Sequence, residues 1–204
     1  MNRKKSFASL LKITCFMVCS CISIQPVWAA KTDSESIIDT AMGTDCSVRV
    51  YGSDGTAKDI MDMLSDIENK YLSWRIEGSD IANINENASE SEPVMPSKWT
   101  YSYLENVLDL ARKSSGAFDP TLGRVSQLWN LESDNPYIPS KSELTELLLE
   151  TGWEKISLSD GEVFLKDSVQ IDLGAVGKGI GCDEARKMLE EADADAAVGS
   201  GGGS

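Results

Sequence analysis

Histidine is absent from all 204 residues, and that gap removes a large part of enzymology. Without an imidazole, the chain acting alone supplies neither the general base of Ser-His-Asp hydrolysis nor the nitrogen ligands of most zinc hydrolases. Cysteine is scarce as well. Of five cysteines, Cys15, Cys19 and Cys21 fall in an N-terminal leader, so only Cys46 and Cys182 remain, too few for a disulfide framework. A single bridge and two separate thiols both stay open, separate buried thiols being the commoner outcome. The third shortage is positive charge. Removing the leader takes away Arg3, Lys4, Lys5 and Lys12 and no acid, leaving 15 basic against 33 acidic residues, a net charge of −18 compared with −14 for the whole chain. Such a surface is a poor partner for nucleic acid, and a phosphate-bearing ligand would need a divalent cation or a local cationic cluster beside it. No internal repeat or low-complexity block precedes the closing G-S-G-G-G-S.

What is present begins with those four basic residues, an apolar run from Ile13 to Ile24 and V-W-A at Val27 to Ala29. This is the layout of a secretory signal peptide over residues 1–29, and it places the mature chain in the cell envelope. The run is shorter than the roughly 20 apolar residues a membrane span needs, and Ser20 and Ser23 interrupt it. V-C-S-C at Val18 to Cys21 loosely resembles a lipoprotein processing site, so lipid attachment to the membrane is the alternative to simple export. Residues 30–39 are polar and read as a tether. Residues 40–204 are enough for one domain with its own core.

Thr44 to Tyr51 alternates, with Cys46, Val48 and Val50 on one face, as a half-exposed strand does. From Lys58 to Trp74, Ile60, Met63, Leu64, Ile67 and Tyr71 recur at helical spacing and predict one long amphipathic helix. Asp80 to Asn85 is a polar turn or short helix whose asparagines suit backbone capping at least as well as ligand contact. A helix over Lys98 to Ser114 ends at Gly116. In G-A-F-D-P-T-L-G, Gly116 to Gly123, Pro120 keeps Asp119 out of helical geometry and makes a shaped loop. That loop reads equally as a ligand wall or as a core plug, Phe118, beside an N-cap, Asp119, for a helical stretch at Val125 to Trp129. A helix over Ser142 to Thr151 follows, then strands Glu154 to Leu158 and Glu162 to Lys166 joined through Asp160-Gly161. Strands and helices without regular alternation favour an α+β fold.

I-D-L-G-A-V-G-K-G-I-G, Ile171 to Gly181, carries most of the chemistry. Ile171 and Leu173 read as the end of a buried strand, Gly174 to Gly179 as turns, and Cys182 to Ala192 as a helix. Glycine N–H groups, a helix N-terminus and Lys178 together would cradle an anion. The bland alternative is a glycine-rich connection with Lys178 solvated. Lys178 precedes Gly179 rather than Ser or Thr, so this is no P-loop, and G-x-x-G-x-G is not the dinucleotide fingerprint.

Taken in order, five segments resemble the ApbE family, the FAD:protein FMN transferases of the bacterial envelope. They are A-M-G-T-D-C-S-V-R-V-Y-G at Ala41 to Gly52, L-S-W-R-I-E-G-S-D-I-A-N-I-N at Leu72 to Asn85, the Gly116 to Gly123 loop, Asp172 to Asp183, and A-V-G-S-G-G-G-S at the end; Trp129 in Q-L-W-N also fits. The resemblance implies a T-fold-like α+β domain, incomplete at its C-terminus. It implies FAD contacts from Met42, from Trp74 where many members have tyrosine, from Ala117, Phe118 and Asp119, and from Asp172 and Lys178. The backbone carbonyl of Ala175 would face Mg2+. The implied reaction moves the FMN half of FAD onto a threonine or serine hydroxyl of an acceptor subunit in a redox-pumping complex, releasing AMP; no general base is named by it. Family members continue past the point where this chain stops, into a segment bearing the metal's side-chain ligands, so these 204 residues are expected to have little or no transferase activity. The alternatives are an exported flavin-binding protein without transfer, an FAD pyrophosphatase, and a plain structural domain.

Overall fold

The computed structural model describes residues 33–131 and 133–202. The proposed leader, residues 1–29, with its alternative lipid anchor, lies outside the described residues. Among the described residues no helix is long and apolar enough to cross a membrane.

Strand β1 (Ser34–Ala41) pairs antiparallel with β2 (Thr44–Tyr51), from Ser34↔Tyr51 to Ala41↔Thr44. Residues 34–39 were expected to be tether, and the pairing corrects that reading. The strand lies at a sheet edge with most of its side chains exposed, so it needs no apolar alternation and shows none. The two strands are joined by Met42 and Gly43 with φ of 55° and 68°, the left-handed pair that a two-residue hairpin turn requires. The inner face of β2, Cys46, Val48 and Val50, is buried against Ala57, Ile60 and Met61 of α1 (Thr56–Asp66).

The helix expected to run to Trp74 changes winding at Ile67, where a π-helical stretch, Ile67–Leu72, takes over. Helix α2 (Asp80–Asn87) is capped by Ser79, and α3 (Lys98–Lys113) by Ser97. After α4 (Gly123–Trp129) comes α5 (Lys141–Glu150), opened by a capping box between Ser140 and Glu143 and burying none of its residues. Strands β3 (Ile156–Ser159) and β4 (Glu162–Leu165) form the expected hairpin, with Asp160 at φ 52° and Gly161 at φ 86°. Its inner residues Val163 and Leu165 join Ile81, Ile84, Leu104, Val107, Ile171, Leu173 and Ile180 in the larger of two apolar clusters.

Helix α6 spans Gly174–Glu191. It corrects the expectation that Gly174 to Gly179 make turns and that Cys182 opens the helix: none of these glycines has positive φ, and Cys182 lies well inside the helix. Two of them serve packing instead. A Cβ on Gly177 would stand 3.4 Å from Met42 Cε, and one on Gly181 would stand 2.7 Å from Leu64 Cδ2 and 3.1 Å from Met42 Sδ. Glycine at i and i+4 therefore clears one helix face for the hairpin tip and α1. Met42 packs against both apolar clusters.

The last strand, β5 (Ala196–Gly201), pairs antiparallel with β2 and completes a sheet of order β1-β2-β5. All six of its residues are exposed, and its outer edge carries no strand among the described residues.

Candidate functional site

Ile171 and Leu173 are buried but lie in no strand of either sheet. Asn85 takes the place of a neighbouring strand: its Oδ1 accepts from the Ile171 N–H at 2.7 Å, and its Nδ2 donates to the Ile171 carbonyl at 2.9 Å. On the other side the Pro120 carbonyl accepts from the Asp172 N–H at 2.8 Å, and the Gln170 carbonyl accepts from the Gly123 N–H at 3.0 Å. The Gly116–Gly123 loop and α2 thus fix the segment that launches α6. Asp172 closes the arrangement. Its Oδ1 accepts from the Gly174 N–H at 2.8 Å and its Oδ2 from Ser126 Oγ at 2.6 Å.

A cavity of about 300 Å³ opens beside this launch point. Gly174, Gly177 and Lys178 of α6 line it together with Asp172, Met42 at the hairpin tip, and Glu68, Trp74 and Arg75 from the π-helical stretch and the turn after it. The first turn of an 18-residue helix lies in the wall, so the partial positive charge of a helix start is present although the glycine loop is not, with its Gly174 N–H already taken by Asp172. Lys178 is exposed and, among the described residues, forms no ion pair. The Arg75 guanidinium lies 4.1 Å from the Trp74 ring centroid, within cation–π range. The Trp74 Nε1–H is buried and, among the described residues, has no acceptor. Met42 donates its N–H to Glu68 Oε2 at 2.6 Å.

Of the residues singled out by resemblance, Met42, Trp74, Asp172 and Lys178 therefore meet in one cavity. Ala117, Phe118 and Asp119 do not line it. Ala117 is exposed, and Phe118 packs on the larger cluster. Asp119 Oδ1 accepts from the N–H and hydroxyl of Thr121 at 2.8 and 2.6 Å, which shapes the loop. Ala175 is exposed in the first turn of α6, where its carbonyl belongs to the helix ladder. Among the described residues no group of three or more carboxylates and thiols is arranged to hold a metal. Near Ala175 the nearby carboxylate, Asp172, already accepts two hydrogen bonds. Magnesium is usually held by one or two carboxylates together with waters and substrate phosphates, and the two carboxylates that line this cavity, Asp172 and Glu68, are both already engaged by hydrogen bonds.

Glu68, Arg75 and Asn85 are the residues that sequence reasoning missed. Asn85 stood inside a quoted motif, but nothing in a sequence shows an asparagine imitating a strand 86 positions away. A second, more apolar cavity of about 270 Å³ lies between α6 and β5 and shares Met42 and Lys178 with the first. Cys46 and Cys182 both line it, and both thiols are free. Burial pushes the Cys46 thiol up.

A sequence profile of the ApbE family matches residues 42–204. The chain belongs to the ApbE family. Among ApbE relatives, the FAD:protein FMN transferase of Treponema pallidum is 30% identical over 183 residues, covering 83% of this chain and 50% of that protein. The crystal structure of the ApbE protein from Thermotoga maritima superposes with a TM-score of 0.76 at 30% identity, over 84% of this chain and 57% of that one. The flavin transferase ApbE from Vibrio cholerae shares the fold, with a TM-score of 0.72 at 20% identity, over 83% of this chain and 57% of that one. The expected α+β, ApbE-type fold is borne out. The chain spans about half the length of the curated relatives it matches.

Proposed function

We propose that the protein binds FAD in the cavity beside the start of α6 and serves transfer of the FMN half of FAD to a threonine or serine hydroxyl, with release of AMP. One observation carries the reading: Met42, Trp74, Asp172 and Lys178, drawn from three separate stretches of sequence and each matched to the ApbE flavin site by resemblance, line a single cavity. The chemistry of the lining suits the ligand. Trp74 offers flat apolar surface for a ring, and Lys178 with the first turn of α6 offers positive charge for the pyrophosphate.

In the proposed transfer the acceptor hydroxyl oxygen attacks the phosphorus of the FMN half. The bond from that phosphorus to the oxygen shared with AMP breaks, AMP leaves with the electron pair, and the hydroxyl proton goes to solvent. Lys178 would stabilise charge growing on the phosphoryl oxygens by position alone. Magnesium belongs to this reading through the family resemblance, as a Lewis acid on the phosphates. The donors near Ala175 do not form a set that would hold it, so no step is assigned to it. The acceptor would be a flavin-carrying subunit of a redox complex at the envelope, in keeping with the leader sequence at residues 1–29.

The test is to mix the purified chain with FAD, magnesium and a threonine-containing acceptor peptide. Flavin fluorescence should be quenched on binding. Peptide gaining FMN with one AMP released marks transfer, AMP and free FMN mark hydrolysis, and quenching without products marks a binding protein. Unquenched flavin over a folded chain would sink the assignment.

A further inference from the structure

Two departures from ordinary backbone geometry meet at one hydrogen bond on the wall of this cavity. The first is Met42. It occupies the first central position of a two-residue hairpin turn with φ 55°, where asparagine, aspartate or glycine is the usual occupant because other side chains are disfavoured in the left-handed region. The second is the π-helical stretch Ile67–Leu72, a rare winding that concentrates at functional sites. It presents Glu68 to the hairpin tip, and Glu68 Oε2 accepts from the Met42 N–H at 2.6 Å.

The tip is held from its other side too. The Met42 thioether sits on the bare faces of Gly177 and Gly181, where added Cβ atoms would stand 3.4 Å from Met42 Cε and 3.1 Å from Met42 Sδ. Closing β1 onto β2 asks for none of this, since an Asn-Gly turn would join the same strands without help. A disfavoured conformation persists when its surroundings over-determine it, and such positions gather where a ligand must be met. Here the over-determined residue and the carboxylate that restrains it line the cavity with Trp74, Asp172 and Lys178.

Given the flavin reading above, on which this assignment rests, we infer that Glu68 is a positioning residue of the dinucleotide site. Its carboxylate fixes the Met42 amide so that Met42 forms a set wall against which FAD lies. A carboxylate suits the task because its oxygens only accept, so the Met42 N–H always finds a lone pair there. Glu68 acts through Met42 and takes no part in the bond changes.

The test uses the full chain with FAD as probe, reading flavin fluorescence quenching for affinity and 15N-resolved amide exchange for the hairpin tip. Glu68→Leu should raise the FAD Kd about tenfold. In that variant the Met42 amide should exchange faster while the paired amides of β1 and β2 keep their protection. Glu68→Gln, whose side-chain oxygen can accept the same N–H, should stay within about threefold of the parent chain. If Glu68→Leu fails to fold, Glu68→Asp decides, since it keeps the charge but withdraws the oxygens by one methylene, and it should weaken FAD in the same sense. Parent-like affinity in Glu68→Leu, or in Glu68→Asp where that decides, overturns the assignment and leaves the flavin reading standing. Loss of affinity in Glu68→Gln equal to that in Glu68→Leu also overturns it, since charge rather than position would then be at work. Failure of the parent chain itself to quench FAD overturns both.

Discussion

At the scale of single residues, the glycines divide by what surrounds them. A Cβ on Gly179, inside α6, would meet nothing within 4 Å, so Gly179→Ala should stabilise the protein by about 0.5–1 kcal/mol through helix propensity alone. A Cβ on Gly123 would stand 2.7 Å from the Gln170 carbonyl oxygen and 3.0 Å from its carbon. That neighbour is backbone, already bonded to the Gly123 N–H, so Gly123→Ala should cost about 1–3 kcal/mol. Thermal denaturation of the two variants should move in opposite directions; a shift of the same sign in both would contradict the packing described. The sequence pointed to the region rich in glycine, and Lys178 and Asp172, which it singled out there, line one cavity. It misjudged what the glycines do. Four glycines within eight residues read as loop because glycine disfavours helix, and tertiary packing by Met42 and Leu64 explains why the helix keeps two of them, Gly177 and Gly181. Phe118 and Asp119 were legible as members of a shaped loop, but which side of that loop faces a cavity is decided by Thr121 and by the apolar cluster behind Phe118.

At the scale of elements, α3 and α6 are fastened by a small polar cluster. Tyr103 donates its hydroxyl to Glu184, and Lys187 donates to the same carboxylate oxygen at 2.5 Å. Burial pushes Glu184 up, but hydrogen bonds from Lys187 and Tyr103 outweigh it and hold the group below its ordinary value. A carboxylate lowered on folding stabilises the fold above the ordinary carboxylate range and loses that contribution as pH falls through its folded value. Burial, and after it the bond to Glu184, raises Tyr103, so its contribution holds below the ordinary tyrosine range and is lost as pH rises through the folded value. The difference in melting temperature between the parent chain and Glu184→Gln should therefore be largest at intermediate pH and shrink toward acid. A difference unchanged from neutral to acidic pH would exclude this account. Most elements were legible because their stops and periodicity are local, as with Gly116 after α3 and the Asp160-Gly161 turn. Strand β1 and the π-helical stretch were not. One is an edge strand without an apolar face, and the other keeps a helical pattern of side chains while its winding answers to the partner that Glu68 must reach.

At the scale of the whole molecule, β5 is an edge strand among the described residues, with Val198 65% exposed and the strand built from Ala, Val, Gly and Ser without a charge. Natural edge strands are usually blunted by lysine, proline or a bulge, and none is present in Ala196–Gly201. Sedimentation at rising concentration should show reversible self-association, and Val198→Lys should suppress it without altering the far-ultraviolet circular dichroism; concentration-independent sedimentation of the parent chain would refute this. Such a flank acts as a template: its free main-chain groups would accept whichever extended segment reaches them first, so the same feature that lets the sheet grow productively would, in a crowded tube, seed precipitation.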